Sequence, residues 1–582
     1  MSPKHWPTSI RSLLLAGCVL AALASTAAAQ TGRETLQYLG TTQIDAAPPP
    51  ALPFDDLKIS PHAEADADLV GTKRGPTSAS IPFLTSPQQI LADAPGLSLS
   101  FDGLSHRDQR LAGTGLYANT QFSTEPPDQG LAVGNGFVLQ TVNAALAIYD
   151  AKTGAQLRGP IAINQFFQLK PEISRQRGTF GDFTGDPRAY FDNQLQRWFV
   201  TVVAMATNPA TGELQAPARL LIAVSQSSDP TQSWRVYSLD ITNDGSSGCP
   251  CYGDQPLVGA DAFGFFLGTN AFTLRQRFAG VQLYAISKQL LVQGAAPSVV
   301  HFNSPELRGG FPFSVQPSHS PSFSDEPPNG VEYLLSVADI RNMLDDRVAV
   351  WAITNTASLA EATPAIKLRS TIVKTQPFGV PPDAVQKSGP QELGSLLGES
   401  QRFLATNDQR MQQATFAQGK IWSALTTMVA VENEASPHAG IAYFGLTPSL
   451  RADGSLQATI FRQGYVAAKN TDVFYPAFTL NADGEGAIAF TLSGADRYPS
   501  SAFVTFDQRG IGNIQIAAAG ADPQDGFSGY SYFGGEGSAR TGDYSAATTD
   551  VDGGIWIASE YIPRAARTLL ANWGTKIAKT SH

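Results

Sequence analysis

Short runs of β-branched and aromatic residues, separated by glycine-containing turns, recur along most of the chain. Near the C-terminus, a β-prone run at 543–550 leads to an Asp-Gly-Gly turn at 552–554, and a second β-prone run follows at 555–561. Glycine accepts the positive φ that tight turns need, so this arrangement predicts a hairpin. Related hairpins begin near 186 and 254. The pattern therefore predicts an all-β fold.

The hairpins group into seven units that begin near residues 128, 186, 254, 325, 411, 476 and 543. Units of about 60 to 85 residues, with three or four strands each, are typical of propeller blades with loop insertions. Trp198, Trp422 and Trp556 occupy comparable second strands and are predicted to pack between blades, because tryptophan buries a large area. We expect a single β-propeller of seven blades over residues 96–580.

The last of these units supplies three strands rather than four. An open sheet edge invites pairing with another chain, so a closed ring must cover it. A β-prone run at 97–101 is the candidate for the missing outer strand. The ring is therefore predicted to be closed by an N-terminal strand that joins the C-terminal blade.

The chain before this region has the features of an exported protein. Residues 1–29 are predicted to be a signal peptide, with a basic start, an apolar core at 13–24 and small residues at 27–29 for cleavage. A lipoprotein box ending at Cys18 is the alternative. Residues 30–95, rich in Pro and Ala, are predicted to be a largely disordered tether. The mature protein is then periplasmic or secreted, with no transmembrane segment after signal cleavage.

Composition narrows the choice of partner. The 582 residues include 53 Gly and 39 Pro, only 15% are charged, and the net charge is -10. Abundant turn residues with few charges fit an all-β protein. The acidic balance and the absence of a basic run argue against a nucleic-acid partner. A glycan or an envelope protein is the expected partner, and the chain is expected to be a monomer.

Signal cleavage at 29 removes Cys18 and leaves Cys249 and Cys251. Residues two apart reach bonding distance only in a sharp turn, which Pro250 makes feasible, and an oxidising compartment favours the disulfide. Two partly buried thiols are the alternative. No second cysteine pair or histidine cluster accompanies them, which argues against zinc.

Four aspartates precede first strands of the units. In an up-and-down blade, the loops leading into the first strand and those joining the second strand to the third share one face, which we call the channel-mouth face. Asp128, Asp186, Asp254 and Asp543 are expected there. Three of them, Asp128, Asp186 and Asp254, are candidate ligands for Ca²⁺, which needs several oxygens. The alternative is capping of local backbone N–H groups. No other cofactor is predicted.

Other residues expected on this face could take part in catalysis. A histidine could act as general base with a tyrosine beside it. A loop histidine that is simply solvated is the alternative. The catalytic candidates are His319, His438, Arg497, Tyr498, Glu560 and Tyr561.

Arginines on the same face could hold the carboxylate of a ligand, because guanidinium donors match a carboxylate bidentately. Arg410, Arg540 and Arg567, together with Asp543, are the ligand-binding candidates, and Arg497 could join the set. The alternative is that these arginines form structural salt bridges with Asp543, Glu560 or neighbouring carboxylates.

Two stretches resemble known propeller proteins. Residues 227–234 resemble the Asp box of sialidase-like propellers: Ser227, Asp229 and Trp234 match, while Thr231 stands where that box has glycine. In that family the box is structural. The run 540–546, with 572–575, is similar to exported bacterial propeller proteins of unassigned activity. These resemblances imply the fold over roughly 97–580 and imply no substrate.

No nucleophile elbow, zinc-protease helix or phosphate-binding glycine loop is present in the sequence. The leading hypothesis is an exported propeller that binds an extracellular or cell-envelope ligand, a glycan or a protein, through its channel-mouth face. The alternative is a carbohydrate-active enzyme, a sialidase-like hydrolase or a polysaccharide lyase, acting on an acidic sugar. A scaffold for envelope proteins is a third hypothesis.

Overall fold

The computed structural model describes residues 30–44, 62–63, 73–75, 79–91, 96–246 and 248–581. Strands account for 53% of the structure and helices for 7%, which confirms the all-β prediction. The predicted signal peptide at 1–29 lies outside the described residues. Within them, no helix has the length and apolar character needed to cross a membrane.

Most of the described strands form seven antiparallel units of four strands, which we number 1 to 7 in chain order. Units 1 to 3 consist of Gly130–Gly134, Phe137–Val142, Ala145–Asp150 and Gln156–Ala162; Phe183–Asp192, Arg197–Thr207, Leu214–Ser225 and Trp234–Asp240; and Cys251–Ala260, Gly264–Thr273, Phe278–Ser287 and Ser298–Asn303. Units 4 and 5 consist of Gln316–His319, Val331–Val337, Leu344–Thr354 and Lys367–Gly379; and Ala414–Ala417, Lys420–Val431, His438–Leu450 and Leu456–Val466. Units 6 and 7 consist of Asp472–Leu480, Gly486–Gly494, Arg497–Asp507 and Gly510–Ala518; and Ala546–Thr549, Ile555–Tyr561, Gly574–Thr580 and Leu97–Ser105.

Unit 7 takes its outer strand from the N-terminal side of the chain. Leu97–Ser105 pairs antiparallel with Gly574–Thr580, and Phe101 lies opposite Ile577. The first strands of the seven units contact each other in the order 1 to 7, and the first strand of unit 7 also contacts that of unit 1. The partner that the sequence predicts for the C-terminal strand is therefore present.

Local sequence explains the hairpins and the packing between units. The two-residue turn Asn135-Gly136 has φ of 49° and 85°, the conformation that matches the twist of paired strands and that Asn-Gly adopts readily. Trp422 of unit 5 stacks on Phe478 of unit 6, with 5.6 Å between ring centroids. Trp198 and Trp556 are fully buried. The prediction that these tryptophans pack in the core is confirmed.

The structure differs from the sequence prediction in two regions. Unit 4 begins at Gln316–His319 rather than near 325, because this first strand is only four residues long and contains Pro317, which weakens its β signal. In the predicted tether, Gln30–Thr35 pairs with the outer strand of unit 3, and Gln37–Thr42 pairs with that of unit 2. These described parts of the tether are ordered because they cover sheet edges.

Long connections between units lie on the face where the first strands begin. Two of them, 381–413 and 519–545, are joined by pairing of Phe403–Leu404 with Ser538–Ala539, and we call this pair of connections the cap. The helices and 3₁₀ turns of the described chain are His106–Leu111, Gly115–Tyr117, Ile163–Phe166, Lys288–Gln293, Thr356–Ala360, Glu392–Leu397, Phe527–Gly529 and Ser531–Phe533. The remaining short strands are His62–Ala63, Phe83–Leu84, Ile90–Leu91, Thr124–Glu125, Ile173–Ser174, Thr179–Phe180 and Ala384–Val385.

A pair of cysteines across the last two strands of unit 7 tests this pairing. Phe101→Cys with Ile577→Cys should form a disulfide on air oxidation, because directly opposed residues of antiparallel strands have Cα atoms about 4.5–5.5 Å apart, within the range found in disulfides. Mass spectrometry and a thiol count measure it. Phe101→Cys with Thr549→Cys, on the first strand of the same unit, is the control and should stay reduced. Equal cross-linking of both pairs would contradict the pairing.

Candidate functional site

Irregular backbone at the start of the first strands positions the side chains of this face. The strand register shifts at Asp186-Pro187, Gln255-Pro256 and Tyr475-Pro476. The residue before each proline has a positive φ, between 51° and 56°. Such bulges turn a side chain away from its regular direction and are common beside functional sites.

Asp186 links three units through this bulge. Its Oδ2 accepts a hydrogen bond from the backbone N–H of Gln255 in unit 3, at 3.1 Å. Its Oδ1 accepts from the hydroxyl of Tyr544, just before unit 7, at 3.0 Å. Both carboxylate oxygens are therefore occupied by protein donors.

Asp128 joins the same network from unit 1. Its Oδ2 accepts from Nδ2 of Asn143 at 2.8 Å, and Oδ1 of Asn143 accepts from the backbone N–H of Asp186 at 3.0 Å. Oδ1 of Asp128 is buried without a hydrogen-bond partner among the described residues. Burial, followed by the nearby Asp543 and Asp186, raises the pKa of Asp128 well above its usual value. This environment favours the uncharged form of Asp128.

Asp254 and Asp543 are the partly accessible acids of the group. Burial, followed by the nearby Asp186, raises the pKa of Asp254 to about 8, although Arg410 opposes the rise. Asp543 instead forms an ion pair with Arg540. The two acids thus differ in environment: burial favours the protonated form of Asp254 at neutral pH, whereas Asp543 lies beside a cation. We call Asp128, Asp186, Asp254 and Asp543 the channel-mouth cluster.

Of the four predicted arginines, only Arg410 and Arg540 reach this cluster, and each is bound to a protein carboxylate. Arg410 donates to both oxygens of Asp408, at 2.8 and 2.9 Å, and to Oε1 of Gln255, at 3.0 Å. The predicted carboxylate clamp is therefore not assembled. The arrangement matches the salt-bridge alternative.

The other two arginines lie elsewhere. Arg567 donates to Asp525 at 2.6 Å, beneath the cap. The side chain of Arg497 is 41% exposed, with Nε 3.8 Å from Asp496.

The predicted histidine and tyrosine candidates do not come together. His438 lies 3.3 Å from Oε2 of Glu434. The hydroxyl of Tyr498 donates to the carbonyl of Ser388 at 3.4 Å, and that of Tyr561 donates to Asp102 at 2.6 Å. His319 lies on the first strand of unit 4, where burial and then Arg188 lower its pKa to about 4. No histidine–tyrosine pair forms among these residues.

Glu560 is a buried acid beneath the cluster. Burial and then Glu125 raise its pKa well above the usual value. Glu125, which the sequence analysis missed, accepts from the backbone N–H of Ser528 in the cap at 3.0 Å, and burial raises its pKa to about 7. In the sequence, Glu125 could have been found from its position three residues before Asp128, a predicted residue of this face.

Arg188 was also missed, although it follows Asp186 by two residues in the same first strand. It lines a small, partly open central cavity that lies between the first strands. Its neighbours there are Gln129, Gln316, His319 and Gln413.

The predicted calcium ligands do not gather around one point. Among the described residues, three potential ligand atoms lie within 4.8 Å of one another only at Asp244, Cys249 and Cys251. Cys249 and Cys251 are joined as a disulfide, as the sequence allows. The aspartates of the channel-mouth cluster are instead arranged around a shared space.

The Asp-box-like stretch stabilises its own turn. Oδ1 of Asp229 accepts from the backbone N–H of Thr231 at 2.9 Å, and Nε1 of Trp234 donates to the carbonyl of Pro230 at 2.9 Å. These residues lie between the third and fourth strands of unit 2. Their bonds are local and touch no cluster residue.

Comparison with known proteins identifies no family. No family model and no curated protein matches the chain. Solved structures that align with it include an exo-β-1,3-galactanase from Clostridium thermocellum (9% identity, 78% of this chain, 93% of that chain, TM-score 0.27). Another is the family 117 glycoside hydrolase Zg3597 from Zobellia galactanivorans (10% identity, 70% of this chain, 87% of that chain, TM-score 0.29). A third is the N-terminal domain of Nup159 (8% identity, 88% of this chain, 99% of that chain, TM-score 0.30). At these TM-scores they assign neither a ligand nor an activity to this chain.

Proposed function

We propose that this chain is an exported, seven-bladed β-propeller whose channel-mouth face binds a glycan of the cell envelope or its surroundings. The seven units are its blades, and Leu97–Ser105 closes the ring. The cyclic order of contacts among the first strands supports this architecture, because only a ring returns unit 7 to unit 1. The disulfide at Cys249 and Cys251 fits an oxidising compartment. We propose that the chain acts as a monomer.

The observation that carries the proposed function is the convergence of the channel-mouth cluster from four units. Asp254 and Asp543 are the half-buried acids of this cluster, whereas Asp128 and Asp186 are buried. Sugar hydroxyls donate to ionised carboxylates and accept from protonated ones, and the two acids provide both kinds of partner. Arg410 and Arg540 are bound to protein acids. We therefore propose a neutral, polyhydroxylated ligand rather than an acidic one.

The same pair of acids supports glycoside hydrolysis as a second candidate function. Hydrolysis needs one protonated carboxyl that donates to the leaving oxygen and one ionised carboxylate that acts as base or nucleophile. Asp254 has the raised pKa that suits the acid, and Arg540 favours the charged form of Asp543. Release of reducing ends from a bound glycan, lost in Asp543→Asn, would assign this activity.

Binding to a glycan array, followed by calorimetry with the best ligand, tests the proposed function. Asp254→Ala should weaken binding about tenfold or more, because it removes a carboxyl that bonds to the sugar. Asp453→Ala, in an exposed turn of unit 5, is the matched control and should bind like the unchanged protein. Equal loss in both variants, or binding unaffected by Asp254→Ala, would contradict the assignment.

A further inference from the structure

The central cavity contains a cation that the channel-mouth cluster does not use. Nε of Arg188 donates to the carbonyl of Pro256 at 3.1 Å. Its guanidinium carbon lies 3.4 Å from the centroid of the Tyr544 ring. These contacts fix the plane of the guanidinium and leave its two terminal nitrogens as donors toward the cavity.

Arg188 differs from the other arginines of this region in its partners. Arg410 pairs with Asp408, Arg540 with Asp543 and Arg567 with Asp525. No carboxylate of the described residues forms an ion pair with Arg188. A half-buried guanidinium without a counter-charge is costly unless an anion or water satisfies it.

Neighbouring acids do not supply that counter-charge. Burial raises the pKa of Asp128 well above its usual value and that of Asp254 to about 8, which favours the uncharged forms of both. The carboxylate of Asp186 already accepts from Gln255 and Tyr544. The positive charge of Arg188 therefore remains available to a ligand in the cavity.

A second, independent feature also points to a ligand. Gln129 is fully buried and lines the cavity, yet neither Oε1 nor Nε2 of its amide has a hydrogen-bond partner among the described residues. A buried polar group without a partner costs about 1–3 kcal/mol. An oxyanion between the two side chains would accept hydrogen bonds from the guanidinium of Arg188 and from Nε2 of Gln129.

We propose that the central cavity binds a small oxyanion of carboxylate size, held by the terminal nitrogens of Arg188 and the amide of Gln129. The planar fork of the guanidinium matches two carboxylate oxygens, and Nε2 of Gln129 supplies a further donor. His319 borders the same space from unit 4. This site lies below the channel-mouth cluster and is separate from the proposed glycan site.

Calorimetric titration of the full chain with sodium formate at pH 7 tests this site. Formate should bind with one site per chain, whereas sodium gluconate at the same ionic strength, which is too large to enter, should give no saturable heat. Arg188→Gln should weaken formate binding about 10- to 100-fold, as expected for a charge-assisted hydrogen bond. Arg509→Gln, an exposed arginine of unit 6, is the matched control and should bind formate unchanged.

Gln129→Leu provides a second variant if Arg188→Gln does not fold, as judged by circular dichroism. It removes the amide, keeps the charge and should weaken formate binding about tenfold. No saturable formate binding to the unchanged protein would mean that the cavity holds only water. That result would overturn the proposal. So would equal binding of gluconate, or formate affinities of both variants within twofold of that of the unchanged protein.

Discussion

Raising the pH from 5 to 8 is expected to destabilise this protein by several kcal/mol. Four acids have raised pKa values, chiefly because burial disfavours their charged forms: about 7 for Glu125 and about 8 for Glu172, Asp254 and Glu326. A group with a higher pKa in the folded state binds its proton more tightly there than in the unfolded chain. Its stabilising effect is complete below the unfolded pKa near 4 and is lost as pH rises through the folded pKa.

The shift of Glu125 alone corresponds to about 3 kcal/mol at 1.4 kcal/mol per pKa unit. Urea unfolding at pH 5, 6, 7 and 8 measures the total effect. Glu125→Gln should flatten the profile between pH 5 and 8, because the amide carries no titrating proton. Glu485→Gln, in an exposed turn of unit 6, should leave the profile unchanged. Stability that increases with pH over this range would contradict the burial of protonated acids.

Arg410→Met is expected to cost about 3–5 kcal/mol of folding free energy, because it leaves a buried carboxylate without its partner. Burial alone would raise the pKa of Asp408, but Arg410 more than offsets this and the pKa is lowered. Asp408→Asn combined with Arg410→Met should cost less than the sum of the two single changes. Urea unfolding of the four proteins measures the coupling.

The chain offers a matched control for this cycle. Asp507 and Arg509 have the same spacing, and two nitrogens of Arg509 donate to Oδ2 of Asp507, but the side chain of Arg509 is 93% exposed. Asp507→Asn with Arg509→Met should show a coupling below about 1 kcal/mol, as is usual for surface ion pairs. Similar coupling in both cycles would mean that Arg410 does not neutralise a buried charge.

Local patterns predicted much of the fold, because hairpins are encoded by short stretches. Alternating β-prone runs and glycine turns located six of the seven unit starts to within a few residues. The last unit supplies only three strands of its own, and an open sheet edge must be covered. The run 97–101 was therefore identifiable as its outer strand. Unit 4 was misplaced because its first strand, Gln316–His319, is too short to give a periodic signal.

The site was predictable in position but not in contacts. Repeated placement before first strands brought Asp128, Asp186, Asp254 and Asp543 to one face, and this follows from topology alone. The pairs of Arg410 with Asp408 and of Arg540 with Asp543 are local, but the contact of Arg410 with Gln255 joins segments 155 residues apart, which no local pattern indicates. The roles of Glu125 and Arg188 depend on burial and on bulges, and no residue pattern in the sequence reports these.

The location of a bound glycan tests the central claim most directly. A crystal structure of the protein with its best array ligand should place sugar hydroxyls within hydrogen-bond distance of the carboxyl oxygens of Asp254 and Asp543. A sugar bound to the outer strands or to the outside of the cap, with the channel-mouth cluster unoccupied, would contradict the account.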